Sequence, residues 1–431
     1  MPRTTASINS FVSGEFSAKL DGRTDFEKYA SGCKTLENML VHPQGAAARR
    51  VGTQFIAEVK TSAAKTRLIP FEFSTTQTYI LEFGNNYIRF FKDKGQIFSS
   101  GSAYEISTPY LTAELFEIKF AQSADVMFLC HPNHEVMKLS RTAHTSWTLT
   151  EVDFTDGPYL ATNTTDTTLT PQQTATGTGK TITASAVTGI NGGVGWLATD
   201  VGRILKFNSG KAIITARTNA TVAVATITTA FTNTDATAAF NLGAFSNTTG
   251  FPSCVSFFEQ RLVFAGTTDE PQTLYFSKSG DYENMTTGTN ADDAMVYTIA
   301  SNQVNKIRYL KAVRTLLIGT TGGEFSVSAD GTDAAVTPTN VTIKRQSSFG
   351  AANVDAQPAG NAVLFLQAAK RKIRELAYNY DSDGYVAPDL TILNETVTKS
   401  GITEMAFQQS PDNILWCVRE DGVLAGLTYQ R

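Results

Sequence analysis

The chain has 431 residues, enough for one large domain with an insert or for two to three ordinary domains. Apolar residues make up 42%, so a sizeable core can be buried, while charged residues reach only 18% and the net charge is −4. That balance argues against a protein that grips nucleic acid through phosphates, which carries a basic field, so any contact with DNA is expected to be a sliding one. The first residues lack the apolar run of a signal peptide, and no stretch of about eighteen apolar residues suits a membrane span. Four cysteines, Cys33, Cys130, Cys254 and Cys417, are too widely spaced for a zinc ribbon and read as buried free thiols in a chain made in a reducing cytoplasm.

In chain order, residues 1–55 match no regular pattern. They read as an extended N-terminal arm, with a short helix over 25–30 and a helical or extended piece over 33–40. From residue 56 onward one pattern recurs at about fifty-residue intervals: an apolar strand, a second strand apolar on both faces, a turn, and an alternating third strand. The copies are 67–73, 79–83 and 87–91; 116–120, 126–130 and 135–139; 253–258, 262–264 and 273–277; 306–309, 316–318 and 324–327; 362–366 and 372–378; and 402–407, 414–418 and 423–427. Gly84-Asn85-Asn86 and Asp421-Gly422 supply the positive φ that tight hairpins need. Such units are the signature of a β-propeller. The expected fold is therefore all-β: a six-bladed β-propeller-like domain with a small inserted β-domain and the extended arm. The expected segments are 1–55, 56–155 (first blades), 156–249 (insert) and 250–431 (remaining blades). The insert is Thr-rich, with strands over 202–207, 211–216 and 221–228. It reads as a barrel-like module with too few large apolar side chains for a generous core, suited to packing on a neighbouring subunit. The last copy stops after its third strand, from which we expect the chain to belong to a longer protein.

Several motifs resemble chemistry and fall short of it. Gly177-Thr-Gly179-Lys180-Thr181 looks like the end of a phosphate-binding loop, but the earlier glycine is replaced by Thr174 and no strand precedes it. Cys130, His131 and His134 crowd potential metal ligands at one strand end with no partner pair elsewhere, and ordinary turn histidines are expected. Asp381-Ser-Asp383-Gly384 does not continue into a calcium loop. Glu324, Glu375 and Asp421 lie on or beside strands, where a propeller glycosidase would need two carboxylates facing each other. The basic runs Arg49-Arg50 and 370–374 are short and read as solvated faces or subunit contacts. No catalytic, cofactor-binding or metal-binding residue is expected, and no enzyme.

The order of the motifs carries a resemblance. Residues 13–29 (Ser13-Gly-Glu-Phe through Asp25-Phe-Glu-Lys-Tyr29), Cys33-Lys-Thr-Leu-Glu-Asn-Met39, Pro43-Gln-Gly45 and Arg49-Arg50-Val-Gly-Thr resemble the start of podovirus tail nozzle proteins, the tail tubular protein B family of short-tailed bacteriophages. Phe83-Gly-Asn-Asn-Tyr-Ile-Arg-Phe90 looks like that family's first hairpin. Gly250-Phe-Pro-Ser253 through Phe257-Phe-Glu-Gln-Arg261-Leu-Val-Phe-Ala-Gly266 is similar to its return to the propeller after the insert, and Tyr275-Phe-Ser-Lys-Ser-Gly280-Asp-Tyr-Glu-Asn284 to the next stretch. The resemblance covers nearly the whole chain outside the insert. It implies a homohexamer in the virion tail below the portal-adaptor complex, with tail fibres docked outside and DNA passing through the lumen without sequence-specific binding. The alternative from another class is a propeller phage protein that binds or cleaves glycans.

Overall fold

The computed structural model describes residues 7–301, 303–331 and 334–430. Among them every regular element is a strand or a short 3-10 helix. The architecture is all-β and propeller-like, built from six successive antiparallel meanders with one inserted sheet. Blade 1 comprises Arg67–Ser74, Gln77–Gly84, Tyr87–Lys92 and Glu105–Ser107; blade 2 comprises Lys119–Ser123, Val126–His131, His134–Ala143 and Ser146–Glu151. Blade 3 runs Cys254–Phe258, Arg261–Ala265, Thr273–Phe276 and Met295–Thr298. Blade 4 runs Ile307–Ala312, Leu316–Thr320, Gly323–Ser328 and Thr342–Ser347. Blade 5 has Gln357–Ala359, Ala362–Leu366, Ile373–Asn379 and Gly384–Val386, and blade 6 has Ile402–Gln408, Ile414–Arg419 and Leu424–Thr428.

The residue pattern explains the sheets. In the opening strand of blade 1, Arg67, Ile69 and Phe71 are buried while Leu68, Pro70 and Glu72 face out, the two-residue period of a strand with one covered face. The second strands of blades 3, 4 and 5 are buried at every position, so both of their faces are covered. Apolar clusters join consecutive blades. Phe71, Tyr79 and Phe90 of blade 1 meet Trp147 of blade 2 with ring centroids 4.8, 5.2 and 4.5 Å apart. Phe128 and Cys130 of blade 2 pack with Leu262, Phe264 and Tyr275 of blade 3. Tyr309 and Leu317 of blade 4 join Phe365 of blade 5, and Leu364 of blade 5 joins Leu415 and Cys417 of blade 6.

Two expectations need correction. Phe116 lies in a 3-10 helix, Leu115–Glu117, and the first strand of blade 2 starts at Lys119. The buried Arg67 guanidinium donates to the carbonyls of Leu115 and Ile118 and so holds the chain out of strand geometry there. In place of a helix over 25–30 there is a 3-10 helix, Glu27–Ser31, with Phe26 at its N-cap and no side-chain capping bond. By contacts the chain divides into two units: Met1–Phe55, Asn305–Ser328 and Thr342–Arg431 in one, Ile56–Val304 and Ala329–Val341 in the other. Residues 1–55 fall in the same unit as blades 4 to 6. The insert stays with blades 1 to 3, and the remaining break falls after blade 3.

The inserted sheet has six strands in the order Leu169–Pro171, Gly177–Ala184, Val222–Thr229, Gly210–Arg217, Ile204–Phe207 and Phe240–Leu242. A bridge between Leu169 and Thr237 brings its two edges together, so the sheet curls on itself. Its core is larger than the Thr-rich composition suggested. Trp196, Phe207, Phe231 and Phe240 are buried among Leu and Ile side chains, and the rings of Phe207 and Phe231 lie 4.3 Å apart.

Candidate functional site

The arm acquires structure by leaning on blades 5 and 6. Gly14–Glu15 pairs in parallel with Gly32–Cys33, and the Glu15 carboxylate accepts the Leu36 amide at 2.8 Å. Phe16 is buried against Tyr29 and Phe26. A Cβ on Gly32 would fall 2.1 Å from the Phe16 ring, so only glycine lets that ring seat. Further along, Met39–Val41 and Ala47–Arg49 form a hairpin. The Ser17 amide donates to the Leu393 carbonyl at 2.9 Å, Lys19 pairs with Glu395, and the Thr428 hydroxyl donates to the Val41 carbonyl at 2.9 Å.

Between arm and blades lies a cavity of about 1180 Å³. Leu36, Met39 and Val41 line it from the arm, Ile373 from blade 5, and Trp416 and Leu427 from blade 6. Leu424–Thr428, the last strand of blade 6, pairs on one side only, with Ile414–Arg419. Val423 and Leu424 at its start are exposed. Beyond the hairpin, residues 51–59 carry no regular structure, and Val51 and Phe55 are 84% and 79% exposed.

The sequence motifs resolve as follows. Gly177–Ala184 is a strand of the inserted sheet, with Lys180 paired opposite Ala225, so the phosphate-loop geometry is absent from this segment. Asp381 and Asp383 sit in the blade 5 turn, where the Tyr378 hydroxyl donates to Asp383 at 2.6 Å. Glu324 is fully buried on blade 4 and accepts the Ser347 hydroxyl, and burial pushes its carboxyl above the usual range. Asp421 is held by Arg419 at the blade 6 turn. The basic run is consumed internally: Lys370 pairs with Glu420 at 3.2 Å and Lys372 with Asp389 at 3.1 Å. Arg371 donates to the Lys399 carbonyl, and Arg374 donates to Gln367 and the Ala387 carbonyl while covering the Phe349 ring. Arg50 donates to Asn38 and to the Val51 carbonyl. All four cysteines are free, and Cys130, Cys254 and Cys417 are buried. Burial pushes the Cys417 thiol up to about 12.

Sequence reasoning missed two sites. In the insert, Asp200 and Arg203 form a fully buried ion pair at 2.9 Å. Arg203 also donates to Asn191 and the Gly243 carbonyl, and Asp200 accepts from Asn191, the Leu197 amide and the Thr248 hydroxyl. Arg203 and its partner Asn191 border a cavity of about 390 Å³. On blade 2, Glu135 and Glu151 meet across neighbouring strands; partial burial and then the Glu151 carboxyl push Glu135 up to about 7. Both are exposed. Carboxyls that share a hydrogen bond leave no room for a scissile bond between them, since retaining glycosidases separate theirs by about 5 Å.

Of the motif Cys130, His131 and His134, the structure brings the two histidines together and excludes the cysteine. Strand alternation sends Cys130 into the blade 2–3 core and His131 to the opposite face. There His131 and His134 meet Glu114, which the sequence did not single out; their ligand atoms lie within 4.8 Å of one another.

No protein-family model matches the chain, and no curated protein does. Among solved structures it is similar to a streptogramin B lyase, at 11% identity over 84% of this chain and 98% of that one, with a TM-score of 0.36. It is also similar to the β-propeller domain of Cps50 (Swd1) from Myceliophteria thermophila, at 10% identity over 85% and 100%, with a TM-score of 0.37. At such scores these likenesses carry no argument, and the fold stands on the order of its sheets.

Proposed function

We propose that the chain is a structural subunit of a short bacteriophage tail, of the tail nozzle kind. In this reading it forms a homohexamer in the virion tail below the portal-adaptor complex, with tail fibres docked outside and DNA passing through its lumen during ejection. It is made in the host cytoplasm and performs no catalysis. The observation that carries the reading is the ordered run of motifs from Ser13 to Asn284 that resembles this family. The element order supports it: an arm, two blades, an inserted sheet, then four further blades.

Physical chemistry supports the same reading. A lumen that conducts DNA must not trap it, and this chain is mildly acidic with its longest basic run tied into internal pairs. A ring subunit needs apolar surface for its neighbours. The arm supplies Val51 and Phe55, and blade 6 supplies an unpaired strand edge beside Leu424.

The test is the native mass of the assembly, by light scattering, on purified chain and on tails released from disrupted virions. A species of six copies in the virion material is expected. A monomer or dimer there, above all one that hydrolyses host glycans, would replace this reading with the glycan-directed one.

A further inference from the structure

His131 and His134 face each other across the two-residue turn Pro132-Asn133 of blade 2, paired in register with ring centroids 5.0 Å apart. Glu114 comes from the connection between blades 1 and 2, one residue before the 3-10 helix Leu115–Glu117. Its Oε2 accepts the Leu111 amide at 2.9 Å and lies 2.9 Å from His134 Nε2. The Tyr110 ring stands edge-on to His134 at 5.2 Å and closes one side.

The arrangement leaves polar groups unsatisfied. His131 is fully buried, and its Nε2 has no hydrogen-bond partner; the nearest carboxylate is Glu117, at 3.9 Å. The hydroxyl of Tyr110 is likewise buried without a partner. A buried donor or acceptor with nothing to bond is costly and rare, so such an atom beside two further ligand-type groups points to a missing occupant.

We infer that Glu114, His131 and His134 form a binding site for one divalent transition-metal ion of the zinc type. Two imidazoles and a carboxylate are a donor set that suits zinc, whereas calcium and magnesium take oxygen ligands. Bonds near 2.1 Å place tetrahedral ligands roughly 3.3 Å apart, so a cluster already within 4.8 Å needs only a small closure. Glu117, half-exposed beside His131, is at hand for the fourth position, which water can also fill. Ligation through Nε2 moves each imidazole proton to Nδ1. In His131 this turns Nδ1 from the acceptor of the Asn133 amide, at 3.2 Å, into a donor facing it, so the Pro132-Asn133 turn must shift as the ion binds. The ion would staple the tip of the blade 2 hairpin to the segment that arrives from blade 1. The inference is independent of the tail reading and departs from the expectation of ordinary turn histidines.

The experiment uses the full chain, stripped with chelator, reloaded with zinc chloride, desalted, and assayed for zinc by mass spectrometry of the metal. Cobalt(II) loading, followed by visible absorption, reports the geometry. We expect one zinc per chain, the visible band of a four- or five-coordinate cobalt site, and at least a tenfold weaker affinity in His134→Ala and in Glu114→Gln. Both altered residues are partly exposed, and circular dichroism checks that the variants fold. His144→Ala, outside the cluster, should bind as the unaltered chain does. Absence of stoichiometric zinc would overturn the site, leaving the orphaned atoms to water. So would equal retention by His134→Ala and Glu114→Gln, which would place the ion elsewhere.

Discussion

Glu324 shows how one residue couples packing to pH. It is fully buried on blade 4 and accepts the Ser347 hydroxyl and a Phe349 backbone hydrogen bond, with the positive charges of Arg374 and Arg345 also favouring its ionised form. Burial outweighs those hydrogen bonds and charges and raises its folded-state pKa. A raised acid contributes stability that is fully present below its unfolded pKa, near the ordinary 4.5, and lost as pH rises through the folded value. Glu324→Gln keeps an oxygen for Ser347 to donate to and removes the ionisation. The variant should match the parent near pH 4 and exceed it in stability at pH 8. Denaturant unfolding at several pH values checks this, and an advantage that shrank with rising pH would refute it. The sequence placed Glu324 on a strand but could not foresee its burial, because that depends on Ser347 and Phe349 arriving from a segment some twenty residues away.

At the scale of elements, the inserted sheet is the part with the clearest independence. It has its own aromatic core, and its two ends meet: Tyr159 bridges Gly243, and the Leu160 amide donates to the Leu242 carbonyl at 2.8 Å. The buried Asp200–Arg203 pair has each charge met by several hydrogen bonds inside the insert, which is the condition under which a buried pair is tolerated. We therefore expect residues 156–249, expressed alone, to unfold in one cooperative transition with the circular dichroism of a β-sheet. A non-cooperative melt would show that the module needs blades 1 to 3, with which it clusters by contacts. The cluster of Glu114, His131 and His134 is the opposite case. Two of its members were visible as a motif. The third, Glu114, comes from the connection just before the 3-10 helix Leu115–Glu117, outside every repeat strand, so the sequence offered Cys130 in its place.

At the scale of the molecule, the proposed assembly makes the exposed apolar residues of the arm essential to copy-to-copy contact. Val51 and Phe55 have no structural work inside their own chain, being 84% and 79% exposed. Val51→Asp combined with Phe55→Asp should leave the melting midpoint within a degree or two of the parent, since exposed substitutions away from packing cost little. The same variant should lose the high-mass species in light scattering of tail material. Assembly that survives both charges would move the subunit contact elsewhere, and the unpaired edge of blade 6 would be the next surface to alter.

The sequence by itself determined the number and order of the blades, the position of the insert and the extended character of the arm. These rest on local periodicity: a strand apolar on both faces must be central, and a turn needs residues that tolerate positive φ. Only the tertiary structure decided which polar residues meet. Glu114 reaches His134 across twenty residues and Arg67 caps carbonyls near residue 115; the pair Glu135 and Glu151 meets only because neighbouring strands fix their register. Strand patterns record which face is buried, and they carry no record of which side chain from another segment lies opposite. The core of a repeat protein is therefore legible in one dimension, while its polar sites exist only in three.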